Sequence, residues 1–177
     1  MNDGKDGLAD HYSYSVYPEY LDGPFTGGFG EQSCHSCHFD YDINPADGKL
    51  AITGIEKKFK PGHQYNLKIN LSYPDLEKGG FQMSARFQDG SQAGRFSWKD
   101  NRLMFTPSVS DEVQYLQHSR EGTIPNKKGE ISWEFTWTAP DDSDQPVIFN
   151  IAANAGNDDD SSFGDRIYVK EFKIDAD

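Results

Sequence analysis

GFQMSARF, residues 80–87, alternates apolar and polar side chains at the period of a strand. Phe81, Met83, Ala85 and Phe87 fall on one side, and Gln82, Ser84 and Arg86 on the other. Such a one-sided strand needs a second layer over its apolar face. The same signal recurs on either side of it. QYNLKINLS (64–72) places Tyr65, Leu67, Ile69 and Leu71 together, and GKLAITG (48–54) pairs Leu50 with Ile52. RFSW, LMFT, EVQYLQH, EISWEFTW, PVIFNIAA and RIYVKEFK continue the series, with turn residues between them at 61–63, 78–80, 89–91, 125–129 and 157–165. No stretch has sustained helical periodicity and no internal repeat is visible. The pattern predicts an all-β chain, folded as an antiparallel β-sandwich. Trp133 and Trp137 are expected in its core, and Pro140 at the end of a strand.

The chain has 177 residues, which suits one domain with one core. A net charge of −12 argues against nucleic acid or anionic membrane as a partner, because such binding depends on Lys and Arg releasing counterions. No apolar run is long enough to span a bilayer. Met1 opens directly onto the polar stretch NDGKDGLADHYSYS, which reads as a start from which any export leader has been removed. Residues 1–47 are rich in Gly, Pro, Asp and Tyr without a period of either kind, and are expected to be irregular.

Both cysteines of the chain lie in that irregular region, in CHSCH, residues 34–38. Cys-x-x-Cys-His is the attachment signature of haem c. Two thiols three residues apart can each form a thioether to the macrocycle, and the histidine that follows is carried to the iron. The motif therefore assigns Cys34 and Cys37 as tethers and His38 as proximal ligand. A zinc clip would need a second Cys or His pair at ligand spacing, and none follows. A disulfide or a redox-active dithiol at Cys34 and Cys37 is the other reading. A redox pair of that kind belongs at a helix start after a strand, whereas this one follows a Gly-rich coil.

TGGFGEQSCHSCH (26–38) resembles the approach to CxxCH in bacterial choice-of-anchor V domains, which are relatives of the Reeler domain. GKLAITGI, FKPGHQYNLKINL, GGFQMSARFQDGSQAG, LQHS, WEFTWTAP and VIFNIAANAGN continue the resemblance from about residue 24 to 172. It implies an exported, immunoglobulin-like antiparallel β-sandwich of Reeler type over 24–177, CxxCH segment included, after an N-terminal extension over 1–23. Bacterial members carry one CxxCH, and animal Reeler domains generally lack it.

A haem iron bound by His38 has one further axial position. His118, at the end of EVQYLQH, is the favoured distal ligand, and it stands where the resembling domains carry a Thr-His or similar pair. Met104 and Met83 are weaker alternatives, Met83 reading first as a core residue. An open or water-ligated site is the remaining option. His35 lies inside the tether, His63 in a turn and His11 in the N-terminal tail. Tyr12, Tyr14, Tyr17, Tyr20, Phe25, Phe29, Phe39 and Tyr41 bracket the motif, either to anchor the segment to the sandwich or to wall a haem. Asp158, Asp159, Asp160 and Asp165 lack the ligand order of a calcium loop and read as a solvated hairpin. The leading expectation is a monohaem c-type electron carrier, periplasmic or extracellular, serving a redox partner protein with a basic docking surface. No Ser-His-Asp set, phosphate loop or carboxylate pair suggests an enzyme. The alternative is a non-redox Reeler-type binding or adhesion module with a Cys34–Cys37 disulfide or a metal site.

Overall fold

The computed structural model describes residues 23–107, 112–141 and 144–177. Its strands are β1 (Lys49–Thr53), β2 (Lys58–Phe59), β3 (Gln64–Ser72), β4 (Lys78–Arg86), β5 (Arg95–Ser97), β6 (Leu103–Phe105), β7 (Leu116–His118), β8 (Glu130–Thr138), β9 (Val147–Gly156) and β10 (Arg166–Ala176). They form a four-stranded sheet, β1-β3-β8-β5, and a six-stranded sheet, β2-β10-β9-β4-β7-β6. Every pairing is antiparallel except β2 with β10, a short parallel contact at the sheet edge. Two 3-10 turns, Cys34–Ser36 and Glu121–Thr123, are the helical elements among the described residues.

The alternation in each long strand has its expected effect. Leu67, Ile69 and Leu71 of β3 face Phe81, Met83 and Ala85 of β4 and Phe149, Ile151 and Ala153 of β9 across a continuous core. Trp133 and Trp137 are fully buried in it, and each indole N–H is satisfied by a main-chain carbonyl, of Gly122 (2.8 Å) and Ala93 (3.0 Å) respectively.

Two expectations are corrected. Strand β4 is not one-sided, because Gln82, Ser84 and Arg86 are as buried as their apolar neighbours. Segment 23–47 lies over that polar face, and its donors and acceptors meet the sheet's: Phe25 N donates to Gln82 Oε1, and Gln82 Nε2 donates to Gly23 O (3.0 Å). The turn expected at 78–80 is instead the start of β4. Its glycines serve close approach, since a Cβ on Gly80 would lie 2.6 Å from the His118 ring.

The irregular character of 23–47 holds. Thr26 bridges to Ser33 across a tight loop, and Gly28 in that loop sits where a Cβ would overlap the Asn150 amide of β9. Asn44 fastens the far end of the segment to β10, with its N–H on Ile167 O (2.8 Å) and its Oδ1 accepting from Val169 N (2.8 Å). The expected 1–23 extension, with His11, Tyr12, Tyr14, Tyr17 and Tyr20, lies outside the described residues apart from Gly23.

Candidate functional site

Ser33 caps the 3-10 turn that carries the motif, its Oγ accepting from His35 N (3.3 Å), and His38 N donates to Cys34 O (3.0 Å). This tight winding turns Cys34, Cys37 and His38 toward the six-stranded sheet, where they form one wall of a cleft of about 280 Å³. His118, Gly79, Gly80, Thr123, Phe25 and Asn154 also line it, and Asp158, Asp159 and Asp160 stand around it with Lys78. Residues assigned from two distant parts of the chain therefore meet in one place.

His38 is held from behind. Its Nδ1 lies 2.6 Å from Asp165 Oδ2, and Asp165 is almost entirely buried. The amide of Asn154 donates to the same carboxylate oxygen (3.2 Å), and Asn157 N donates to the other (3.3 Å). Asp165 is thus an acceptor fixed by two donors of the β9–β10 hairpin. That arrangement puts the proton of a neutral imidazole on Nδ1 and presents the Nε2 lone pair, the state a metal-ligating histidine needs.

His118 is buried at the end of β7, flat against Gly80, with Nδ1 2.9 Å from Phe81 N and 3.0 Å from Phe81 O. Burial lowers its pKa below the ordinary 6.5, more than the main-chain contact at Phe81 raises it, so the ring is neutral at pH 7. Its Nδ1 is engaged by the Phe81 main chain, accepting from N–H or donating to the carbonyl according to tautomer.

The two sulfurs are not bonded to each other and both cysteines are half-buried. Loss of solvent around Cys34, opposed by a main-chain hydrogen bond and reinforced by Cys37, pushes its thiol up to about 12. A redox dithiol or a zinc thiolate needs the opposite, a thiol whose anion is stabilised. This environment favours a neutral sulfur. Among the described residues no group of three His, Cys, Asp or Glu side chains forms a metal-ion site.

The other candidates are elsewhere. Met83 is fully buried in the core, and Met104 sits half-buried on β6; neither lines the cleft. His35 turns away to Tyr41 O (2.9 Å), and His63 is exposed beside Tyr65. Of the flanking aromatics, Phe25 lines the cleft, Phe29 covers the Arg86 guanidinium (4.1 Å) and Tyr41 covers that of Arg166 (3.4 Å). Asp158, Asp159 and Asp160 are exposed in the β9–β10 hairpin as expected, but Asp165 is not part of a solvated run. Sequence reasoning assigned Asp165 to a solvated hairpin and Gly80 to a turn, and did not single out Asn154. Their roles depend on cross-chain register, and no local pattern marks them.

The model of the Reeler domain matches residues 32–157. No curated protein sequence matches the chain. Among solved structures, the Reelin-N domain of F-spondin is similar at 20% identity, with a TM-score of 0.52, over 77% of this chain and 90% of that one. A human F-spondin Reeler domain fragment is similar at 19% identity, with a TM-score of 0.49, over 77% and 92%. No helix among the described residues is long and apolar enough to cross a membrane.

Proposed function

This chain belongs to the Reeler domain family, and from that premise we propose that it is a Reeler sandwich adapted to carry one covalent haem c for electron transfer outside the cytoplasm. The observation that carries the proposal is the convergence of Cys34, Cys37, His38 and His118 on one cleft. The residues fit the group. Cys34 and Cys37 stand on one wall, with the Cys34 thiol kept neutral by burial, His38 is fixed in the ligating tautomer by Asp165, and His118 is neutral beside a strand stripped of side chain at Gly80. The cleft is at the small end of ligand pockets, so part of the macrocycle would lie toward solvent.

In this reading Cys34 and Cys37 tether the group as thioethers and His38 and His118 hold the iron, which supplies a one-electron couple. Asp165 and Asn154 keep the His38 ring oriented and make it a stronger donor. Two imidazoles place the potential below that of His/Met cytochromes, because thioether ligation raises it. The second reading is a Reeler-type binding or adhesion module without haem, and the family match and the F-spondin likeness support that coarser statement more directly.

One experiment separates the two. Exported in a host with haem c maturation machinery, the chain should carry haem that survives acid-acetone extraction and gives a pyridine haemochrome band. His118→Ala should convert a low-spin spectrum to a high-spin or water-ligated one, and Met83→Ala should leave the spectrum unchanged. A colourless product from that host overturns the haem reading and leaves the binding module. A methionine–iron band that survives His118→Ala overturns the assignment of His118 alone.

A further inference from the structure

Beside the His38–Asp165 contact stands an unusual pair. Phe39 follows the motif histidine directly, and Phe163 comes from the β9–β10 hairpin. Their rings meet edge to face at 6.2 Å, yet 61% and 57% of these residues remain exposed. Phenylalanine is ordinarily buried, and two adjoining exposed rings mark a contact surface more often than isolated ones do. The pair is held in place: Gly164 N donates to Asp40 Oδ2 (3.1 Å), clipping the two segments together.

Its surroundings are predominantly acidic, and the neighbouring cation Arg166, stacked on Tyr41, is paired with Asp47. Residues 39–43 and 157–165 contain no Lys or Arg. Among the described residues Lys78 pairs with Asp158, and none of the ion pairs reaches Asp40, Asp159 or Asp160. An apolar spot with an acidic rim is complementary to an apolar spot with a basic rim. A second copy of this chain is a poor occupant, because each copy brings a charge of −12.

Resting on the haem reading above, we propose that the Phe39–Phe163 pair and its carboxylate rim form the docking surface for a redox protein whose own cofactor edge is ringed by lysines. Phe39 directly follows His38 and Phe163 lies two residues from Asp165, so the surface stands beside the residues that would hold the group. Its small apolar area suits the transient contact of electron-transfer partners, which bury less than standard interfaces.

The test is a nuclear magnetic resonance titration of the labelled full chain with a basic mitochondrial cytochrome c, read as amide shifts, so that binding is measured without electron transfer. Saturable shifts should concentrate in residues 38–42 and 157–165, and binding should weaken roughly tenfold or more between low and physiological salt. The triple variant Asp40→Asn, Asp159→Asn and Asp160→Asn leaves an acceptor for Gly164 N at 40 and for Ser161 N at 159, and Asn suits the positive φ at 160. It should weaken binding about tenfold, as should Phe39→Ser with Phe163→Ser, while Glu134→Gln on the opposite sheet should not. Absence of saturable shifts, shifts spread over both sheets, or variants no weaker than Glu134→Gln overturn the docking surface. Haem content is read separately by absorbance. A haem-loaded chain that fails to bind removes this surface alone, and a haem-free chain that binds here removes the haem reading alone.

Discussion

The two faces of the six-stranded sheet are buried to similar depth and held by different forces. On the inner face, Phe81, Met83, Ala85, Phe149, Ile151 and Ala153 meet the other sheet with no polar side chain between them. On the outer face of the same strands, Gln82, Ser84, Arg86, Asn150 and Asn154, with Gln117 of β7, lie under segment 23–47. There Arg86 Nη1 reaches Glu31 Oε1 (2.6 Å), Tyr115 OH donates to the same oxygen (2.7 Å), and Thr26 Oγ1 donates to Glu31 Oε2. Apolar contact is tolerant of position, whereas hydrogen bonds and a buried ion pair fix register. The inner face supplies cohesion; the outer face says where the CxxCH segment must lie.

The outer face is also the weaker one. Six buried side-chain polar atoms have no hydrogen-bond partner among the described residues, and five belong to Ser84, Arg86, Gln117, Asn150 and Asn154. Each such atom costs stability, so this layer should open before the core does.

The largest expected effect tests the inner face. Phe149→Ala removes a ring that packs against Trp137 (5.0 Å) and Phe172 (4.8 Å) and should cost about 4 kcal/mol of global stability by denaturant titration. Arg86→Ala comes next. It leaves the largely buried Glu31 without its cation and should cost about 3 kcal/mol, with hydrogen exchange accelerated first across residues 26–38. Replacing both partners, Arg86→Met with Glu31→Leu, should recover most of the stability without restoring slow exchange in that segment. If exchange there recovers too, the ion pair does not fix register and the contrast between the faces fails.

The smallest effect is a pH dependence of the haem-free chain. With the folded pKa of His118 below 6.5, the unfolded chain takes up a proton as pH falls past 6.5 while the folded chain does not. Stability from this group is complete above 6.5 and declines below it until the folded pKa is reached. Melting temperatures between pH 7.5 and 5 should therefore fall less steeply for His118→Gln than for the parent. Parallel curves would show that His118 is not buried as a neutral ring.

The inner face was legible in the alternation at 80–87 and 64–72, because a period of two needs no knowledge of the partner strand. CHSCH was singled out because its spacing lies within five consecutive residues. His118 was singled out by elimination and by the resemblance, and the fold does bring it to the cleft. The burial of Ser84 and Arg86 was not legible, since a polar residue in a strand reads as solvent-facing unless the covering segment is known. Asp165 was read together with the acidic run at 158–160, whose carboxylates are exposed, whereas Asp165 is buried against His38. The β2–β10 contact rests on two residues at the sheet edge, too short for any periodicity.

His38 meets Asn154 across 116 residues of sequence and Asp165 across more, so the first described segment is completed by the last hairpin of the chain. Contacts of such separation form late, since the loop between them must close before they return any energy. During folding, Cys34 and Cys37 should remain reachable while the Trp133–Trp137 core is already dry. That order leaves an interval in which the sandwich is ordered and the Cys34–His38 segment is still undocked. Pulsed thiol labelling during refolding checks it: protection of Cys34 should trail the tryptophan fluorescence change, and simultaneous protection would place docking within the main folding step.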